Sequence, residues 1–125
     1  MTSRVLIVED ETILREAYSI VLAAHGYEVV SAANGMLALD SLEQQLPDII
    51  LLDMLMPVMN GEQFLEESRV LEKHKSVKVI VYSNLSDRET VEKLTKLGVH
   101  AHILKSSMAP GQLAAYIKEA LLPNT

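Results

Sequence analysis

No cysteine occurs among the 125 residues, which excludes disulfide cross-links, thiolate nucleophiles and thiolate-bound zinc and is compatible with a reducing cytosol. Tryptophan is missing as well, and aromatic residues make up 4% of the chain with a single phenylalanine. Stacking platforms for bases and aromatic cages for cations are therefore not on offer. Apolar runs are short, far from the roughly 20 residues that a membrane-spanning helix needs, and the amino-terminal MTSRVLIVED has no apolar stretch of signal-peptide length. Positive charge is also scarce: 11 lysines and arginines stand against 17 aspartates and glutamates, a formal net charge of −6. That sign disfavours association with phosphate backbones. The expectation is a soluble, cytoplasmic chain with no direct hold on nucleic acid or membrane and a core of Leu, Ile, Val, Ala and Met.

Five β-branched or apolar runs alternate with longer segments of helical period: RVLIV (4–8), EVVSA (28–32), DIILL (48–52), VKVIVYS (77–83) and AHIL (101–104). Strand-helix alternation of this kind predicts an α/β fold, a doubly wound five-stranded parallel sheet with crossover helices on both faces. Five strands favour the order 2-1-3-4-5, the flavodoxin-like arrangement. The first helix presents Ile13, Ala17, Ile20, Val21 and Ala24 as one apolar face and stops at Gly26. The second runs from about Asn34 to Gln44 on Leu37, Leu39 and Leu42 and ends before Pro47, and the third starts near Gly61 and carries Phe64, Leu65 and Leu71. Ser86 and Glu89 fit a capping box for a fourth, with Val91, Leu94 and Leu97 as its buried stripe and Gly98 as its end. The fifth begins around Pro110 and buries Leu113, Ile117, Ala120 and Leu121 before Pro123 halts it. No linker, repeat or low-complexity segment interrupts the pattern, so residues 1–125 read as one domain.

Polar residues stand in the same relative place after successive strands: Glu9-Asp10 after the first, Asp53 after the third, Ser83 after the fourth and Lys105 after the fifth. Singly, Asp10 and Asp53 suit turn or helix caps; together with Ser83 and Lys105 they outline a site, because a parallel sheet brings these ends to one crevice where strand order reverses. Three carboxylates about 5 Å apart repel by roughly 3 kcal/mol per pair at an effective dielectric of 20. One lysine cannot neutralise them. A hard divalent cation with oxygen ligands can, and without His or Cys at ligand spacing Mg²⁺ fits better than zinc. A carboxylate beside a metal, a hydroxyl and an ammonium has the parts of a phosphoryl-transfer site.

LIVEDE, LLDMLMPVMNG, IVYSN and HILKS, in that order and spacing over essentially the whole chain, resemble the receiver domain of two-component response regulators, the CheY-like family. The resemblance implies that Asp53 is the phosphoacceptor for a phosphohistidine on a histidine kinase or phosphotransfer protein. It also implies that Asp10 binds Mg²⁺ directly, Glu9 through water and Leu55 through its backbone carbonyl. Ser83 and Lys105 would hold the phosphoryl oxygens. Ser83 and His102, the latter at the family's usual Tyr or Phe position, would move inward and reshape the surface of the fourth helix, fifth strand and fifth helix. Pro57 and Gly61 match the turn after the acceptor. Output would pass to a protein target or to an output domain on a longer chain, with homodimerisation on phosphorylation among the modes implied. Apart from its own phosphotransfer and slow autodephosphorylation, such a domain is not an enzyme.

Three features depart from the family pattern. Ser106 follows Lys105 where the family usually has Pro; a non-proline cis bond costs about 2.5–4 kcal/mol, so a trans bond is expected there. Glu9 is one methylene longer than the commoner Asp. Imidazole at position 102, unlike a phenyl or phenol ring, gains charge near neutrality, which predicts a pH-sensitive switch. Leu55 and Leu85 would flank the path of a hydrolytic water without orienting it, which predicts a long-lived acyl phosphate. Glu11 belongs to the first helical turn, where it favours the macrodipole; His100 and His102 read as structural rather than as half a metal site. Met54, Met56 and Met59 read as gap-filling core more than as a docking surface, and Tyr82 as packed under a flanking helix. Two other classes remain: a binding-only pseudo-receiver, and an aspartate-nucleophile phosphatase of the haloacid dehalogenase type, which needs a second Asp at position 55, where Leu stands. Neither G-x-G-x-x-G nor G-x-x-x-x-G-K-[ST] occurs, so dinucleotide and P-loop sites are excluded.

Overall fold

The structure, a computed structural model, describes residues 2–83, 88–104 and 109–122. Among them β1 (Arg4–Val8), α1 (Thr12–Ala24), β2 (Glu28–Ala32), α2 (Gly35–Gln44), β3 (Ile49–Asp53), α3 (Gly61–Ser68), α4 (Val70–Lys73), β4 (Lys78–Ser83), α5 (Arg88–Leu97), β5 (Ala101–Leu104) and α6 (Pro110–Ala120) follow one another. The strands form one sheet in the order β2-β1-β3-β4-β5 with all neighbours parallel, as the alternation of runs predicts. Side chains alternate across a strand, and the three central strands divide their residues between two cores accordingly. Leu6, Val8, Ile50, Leu52, Val79 and Val81 pack with Ala38 of α2, Phe64 and Leu65 of α3 and Leu94 of α5. Val5, Ile7, Ile49, Leu51, Ile80 and Tyr82 pack with Tyr18 and Leu22 of α1 and with Leu113, Ala114 and Ile117 of α6. Burial on both faces is why these strands read as unbroken apolar runs.

The structure corrects several local expectations. In α1 Tyr18 and Leu22 are buried and Leu14 and Val21 half-buried against the core, whereas Ile13 and Ile20 are 85% and 69% exposed. Two apolar stripes coexist on this helix, and the one carrying Leu14, Tyr18 and Leu22 docks, with Tyr18 meeting the Tyr82 ring edge-on. In α2 the buried contacts come from Gly35 and Ala38, with Leu39 and Leu42 half-covered and Leu37 on the exposed side. Asn34 caps that helix, accepting from the Leu37 N–H at 2.9 Å. The expected single third helix is broken: Arg69 adopts a left-handed conformation (φ 52), α3 ends there, and α4 restarts with Val70 fully buried. Strand β3 is shifted by one residue, so Asp53 belongs to the ladder rather than following it. Leu97 lies largely outside the α5 stripe, leaving Leu94 as its buried residue. Gly26 (φ 92) and Gly98 (φ 101) end α1 and α5 in left-handed conformations, as expected. The Ser86 cap and the Pro123 stop lie outside the described residues.

Candidate functional site

With β1 and β3 adjacent and the next strand on each lying on opposite sides, the chain leaves these two strands in opposite directions and a crevice opens at their carboxyl ends. Glu9 and Asp10 directly follow β1, and Asp53 closes β3. Carboxylate oxygens of the three residues all lie within 4.8 Å of one another. Glu9 and Asp53 are buried, while Asp10 is the most open of the group. At such a spacing each like-charged pair costs about 3 kcal/mol at an effective dielectric of 20. An all-oxygen donor set with neither imidazole nor thiolate fits a hard cation of the Mg²⁺ kind.

Backbone and side-chain contacts hold the cluster. The Glu9 N–H donates to the Ala32 carbonyl at 3.0 Å, and the Glu11 N–H donates to Glu9 Oε2 at 3.0 Å. From α1, Arg15 Nη1 donates to the Glu9 carbonyl at 2.7 Å and to the Asp10 carbonyl at 3.4 Å, bracing the turn after β1. The Leu55 N–H donates to Asp53 Oδ1 at 3.2 Å. Gly61 begins α3 where a Cβ would meet the Asp53 carbonyl oxygen and Met54 Sδ at 2.7 Å each, so the helix approaches Asp53 closely only because that side chain is missing. Asn60 and Gln63 form a reciprocal capping box at the same helix start.

Ser83 ends β4, almost fully buried, one residue beyond the pairing of Asp53 with Tyr82. His102 pairs with Val81 in the ladder, and its Nε2 is buried without a hydrogen-bond partner among the described residues. Lys105 and Ser106, and Leu85 with them, lie outside the described residues. Glu11 precedes α1 as its cap residue rather than sitting in the first turn. Met54 and Met56 are buried and Met59 packs against the same core, so the methionines fill space and do not form a docking face. His100 is exposed, and the one cluster of potential metal ligands among the described residues is Glu9, Asp10 and Asp53.

Two residues at the site escape the sequence reading. Arg15 is one. Tyr82 is the other: it packs against a helix as expected, its ring edge-on to Tyr18 of α1 with centroids 5.7 Å apart, but its hydroxyl also donates to Glu9 Oε1 at 2.7 Å. Burial above all, then the Glu9 charge and hydrogen bond, push the phenol far above its ordinary pKa, so it is a neutral donor. This contact spans from β4 past β3 to the end of β1, and no local pattern announces it.

The family model described as the response regulator receiver domain matches residues 5–118. The chain belongs to this family. It is 31% identical to sporulation initiation phosphotransferase F of Bacillus subtilis over 105 residues, 84% of this chain and 83% of that protein. It is 30% identical to the DNA-binding response regulator MtrA of Mycobacterium tuberculosis over 124 residues, 99% of this chain but 53% of that protein; the chain thus spans about half the length of such relatives. Among solved structures, the chemotaxis protein CheY4 of Vibrio cholerae superposes with a TM-score of 0.86 at 27% identity, covering 97% of this chain and all of the other. Receiver domains transduce signals in two-component phosphorelays, with a phosphoacceptor role general to the family, and are generally not enzymes. They interact with histidine kinases or phosphotransfer proteins, and the family binds Mg²⁺ at an acidic pocket. In this receiver domain no helix of the described residues is long and apolar enough to cross a membrane.

Proposed function

We propose that residues 1–125 form one receiver domain acting as a cytoplasmic, phosphorylation-controlled switch with Asp53 as its acceptor. The observation that carries this reading is the convergence of Glu9, Asp10 and Asp53 oxygens within 4.8 Å at the switch point of the sheet. An Asp53 carboxylate oxygen attacks the phosphorus of a phosphohistidine on a histidine kinase or phosphotransfer protein. The P–N bond breaks with its electron pair going to the imidazole, and an acyl phosphate remains on Asp53. Burial of Asp53 at the end of a strand packed on both faces holds its carboxylate for in-line attack, the positioning on which phosphoryl transfer chiefly depends.

Asp10 and Asp53 would hold Mg²⁺ directly, Glu9 through water and Leu55 through its carbonyl; when bound, the ion supplies positive charge that offsets the carboxylates and the incoming phosphoryl oxygens. Ser83 and Lys105 take those oxygens. Ser83 and His102 then relay the change to the face formed by α5, β5 and α6. A protein partner, a second copy of the chain or an output domain reads that face, and slow autodephosphorylation resets it. With a net charge of −6, the domain itself has no electrostatic basis for holding nucleic acid.

The pseudo-receiver and the phosphatase are the competing classes. Incubation with acetyl phosphate and Mg²⁺, followed by intact mass, separates them. One phosphate on the wild-type chain and none on Asp53→Ala is the expected result. No adduct on the wild type would mean a pseudo-receiver, and rapid donor turnover would mean a phosphatase.

A further inference from the structure

Glu9 is fully buried and has one more side-chain torsion than an aspartate, so its carboxylate needs a fixed partner to stay in the cluster. Its Oε2 is engaged by the Glu11 N–H at 3.0 Å, from its own turn. Its Oε1 accepts from Tyr82 at 2.7 Å, from a strand two places away in the sheet. Tyr82 is itself 2% exposed and its ring meets Tyr18 edge-on at 73°, so the hydroxyl is anchored by packing and cannot swing away. Tyr82 also pairs with Asp53 in the ladder, which ties its backbone to the acceptor while its hydroxyl holds the far carboxylate.

We propose that Tyr82 is a positioning residue for divalent-cation binding: its hydroxyl fixes the long Glu9 side chain in the rotamer that completes the carboxylate cluster. This rests on the reading that the cluster binds Mg²⁺. Loss of the hydrogen-bond partner of a direct metal ligand weakens the site about tenfold or more, which bounds the effect from above for a carboxylate that acts through water, and Tyr82→Phe keeps the ring and its contact with Tyr18 while deleting only the donor.

The test is an NMR titration with Mg²⁺ of the wild-type chain, Tyr82→Phe, Glu9→Asp and the double variant, paired with acetyl-phosphate labelling rates across the same Mg²⁺ range. The Mg²⁺ dissociation constant is expected to rise in Tyr82→Phe, by up to about tenfold. The half-saturating Mg²⁺ for labelling should rise in parallel while the maximal rate is kept. In the Glu9→Asp background, where the shorter side chain falls away from the hydroxyl, adding Tyr82→Phe should change neither quantity. Equal dissociation constants for wild type and Tyr82→Phe would overturn the proposal, as would an equal loss in the Glu9→Asp background, which marks a general packing defect. In the wild-type chain the Tyr82 ring signals should shift along the titration; unmoved signals would overturn the proposal even if the variant does not fold. A wild-type chain with no Mg²⁺ response at all would instead defeat the metal reading on which the proposal stands.

Discussion

Leu55 is separated from Asp53 by one residue, and its two ends behave differently: its N–H is committed to Asp53 Oδ1 at 3.2 Å, while its side chain is 57% exposed at the mouth of the crevice. A branched apolar side chain there offers a hydrolytic water neither a donor nor an acceptor. Leu55→Asn is therefore expected to shorten the half-life of the phosphorylated chain, because the amide can hydrogen-bond to the water and hold it in place for attack. Following phosphate release after removal of the donor measures it, and a wild-type lifetime no longer than that of the variant would refute the expectation. His102 is the other unusual single residue. An aromatic hydrocarbon at its place would leave no polar atom to satisfy, whereas Nε2 here is buried without a partner among the described residues, a cost of about 1–3 kcal/mol where it is left unmet.

At the scale of elements, the segment joining β3 to α3 carries a strained turn. Val58 has φ 69 and centres a γ-turn closed by the Met59 N–H on the Pro57 carbonyl at 2.7 Å, a strained conformation for a β-branched residue that costs roughly 1–3 kcal/mol. Its side chain is largely exposed, so packing does not compensate. The segment is also held by the Gly61 N–H on the Met54 carbonyl at 3.1 Å and by the Gly35 N–H on the Met59 carbonyl at 3.3 Å. Val58→Gly should stabilise the fold by up to about 1 kcal/mol, since glycine takes positive φ without the steric cost and this outweighs its added freedom in the unfolded chain. Urea denaturation measures it. Gly61→Ala should do the opposite, because its Cβ would meet backbone at 2.7 Å.

For the molecule as a whole, the carboxylate cluster opposes the stability of the fold that creates it. Folding concentrates three negative groups within 4.8 Å in a chain already carrying a net charge of −6. Asp10→Asn is expected to stabilise the Mg²⁺-free chain by about 1–3 kcal/mol, the scale of one relieved repulsion at an intermediate dielectric. If Mg²⁺ binds only the folded state it raises the melting temperature of the wild type, and the same change should abolish that expected rise. Thermal unfolding in chelator and in excess Mg²⁺ gives both quantities. This is the usual opposition between a functional site and maximal stability.

Where alternation is strong the sequence suffices: the five apolar runs match five strands to within a residue, and the carboxylates that stand at the ends of two of them, Glu9-Asp10 and Asp53, meet in the fold. A period of two or 3.6 and a strand terminus are properties of adjacent residues, so the chain displays them directly. Which of two stripes on α1 docks, the break at Arg69 that buries Val70, and the hydroxyl of Tyr82 reaching Glu9 across an intervening strand were decided only in the assembled fold. Each depends on which side chains compete for a single space, and that is a relation between segments distant in the chain which no local pattern encodes.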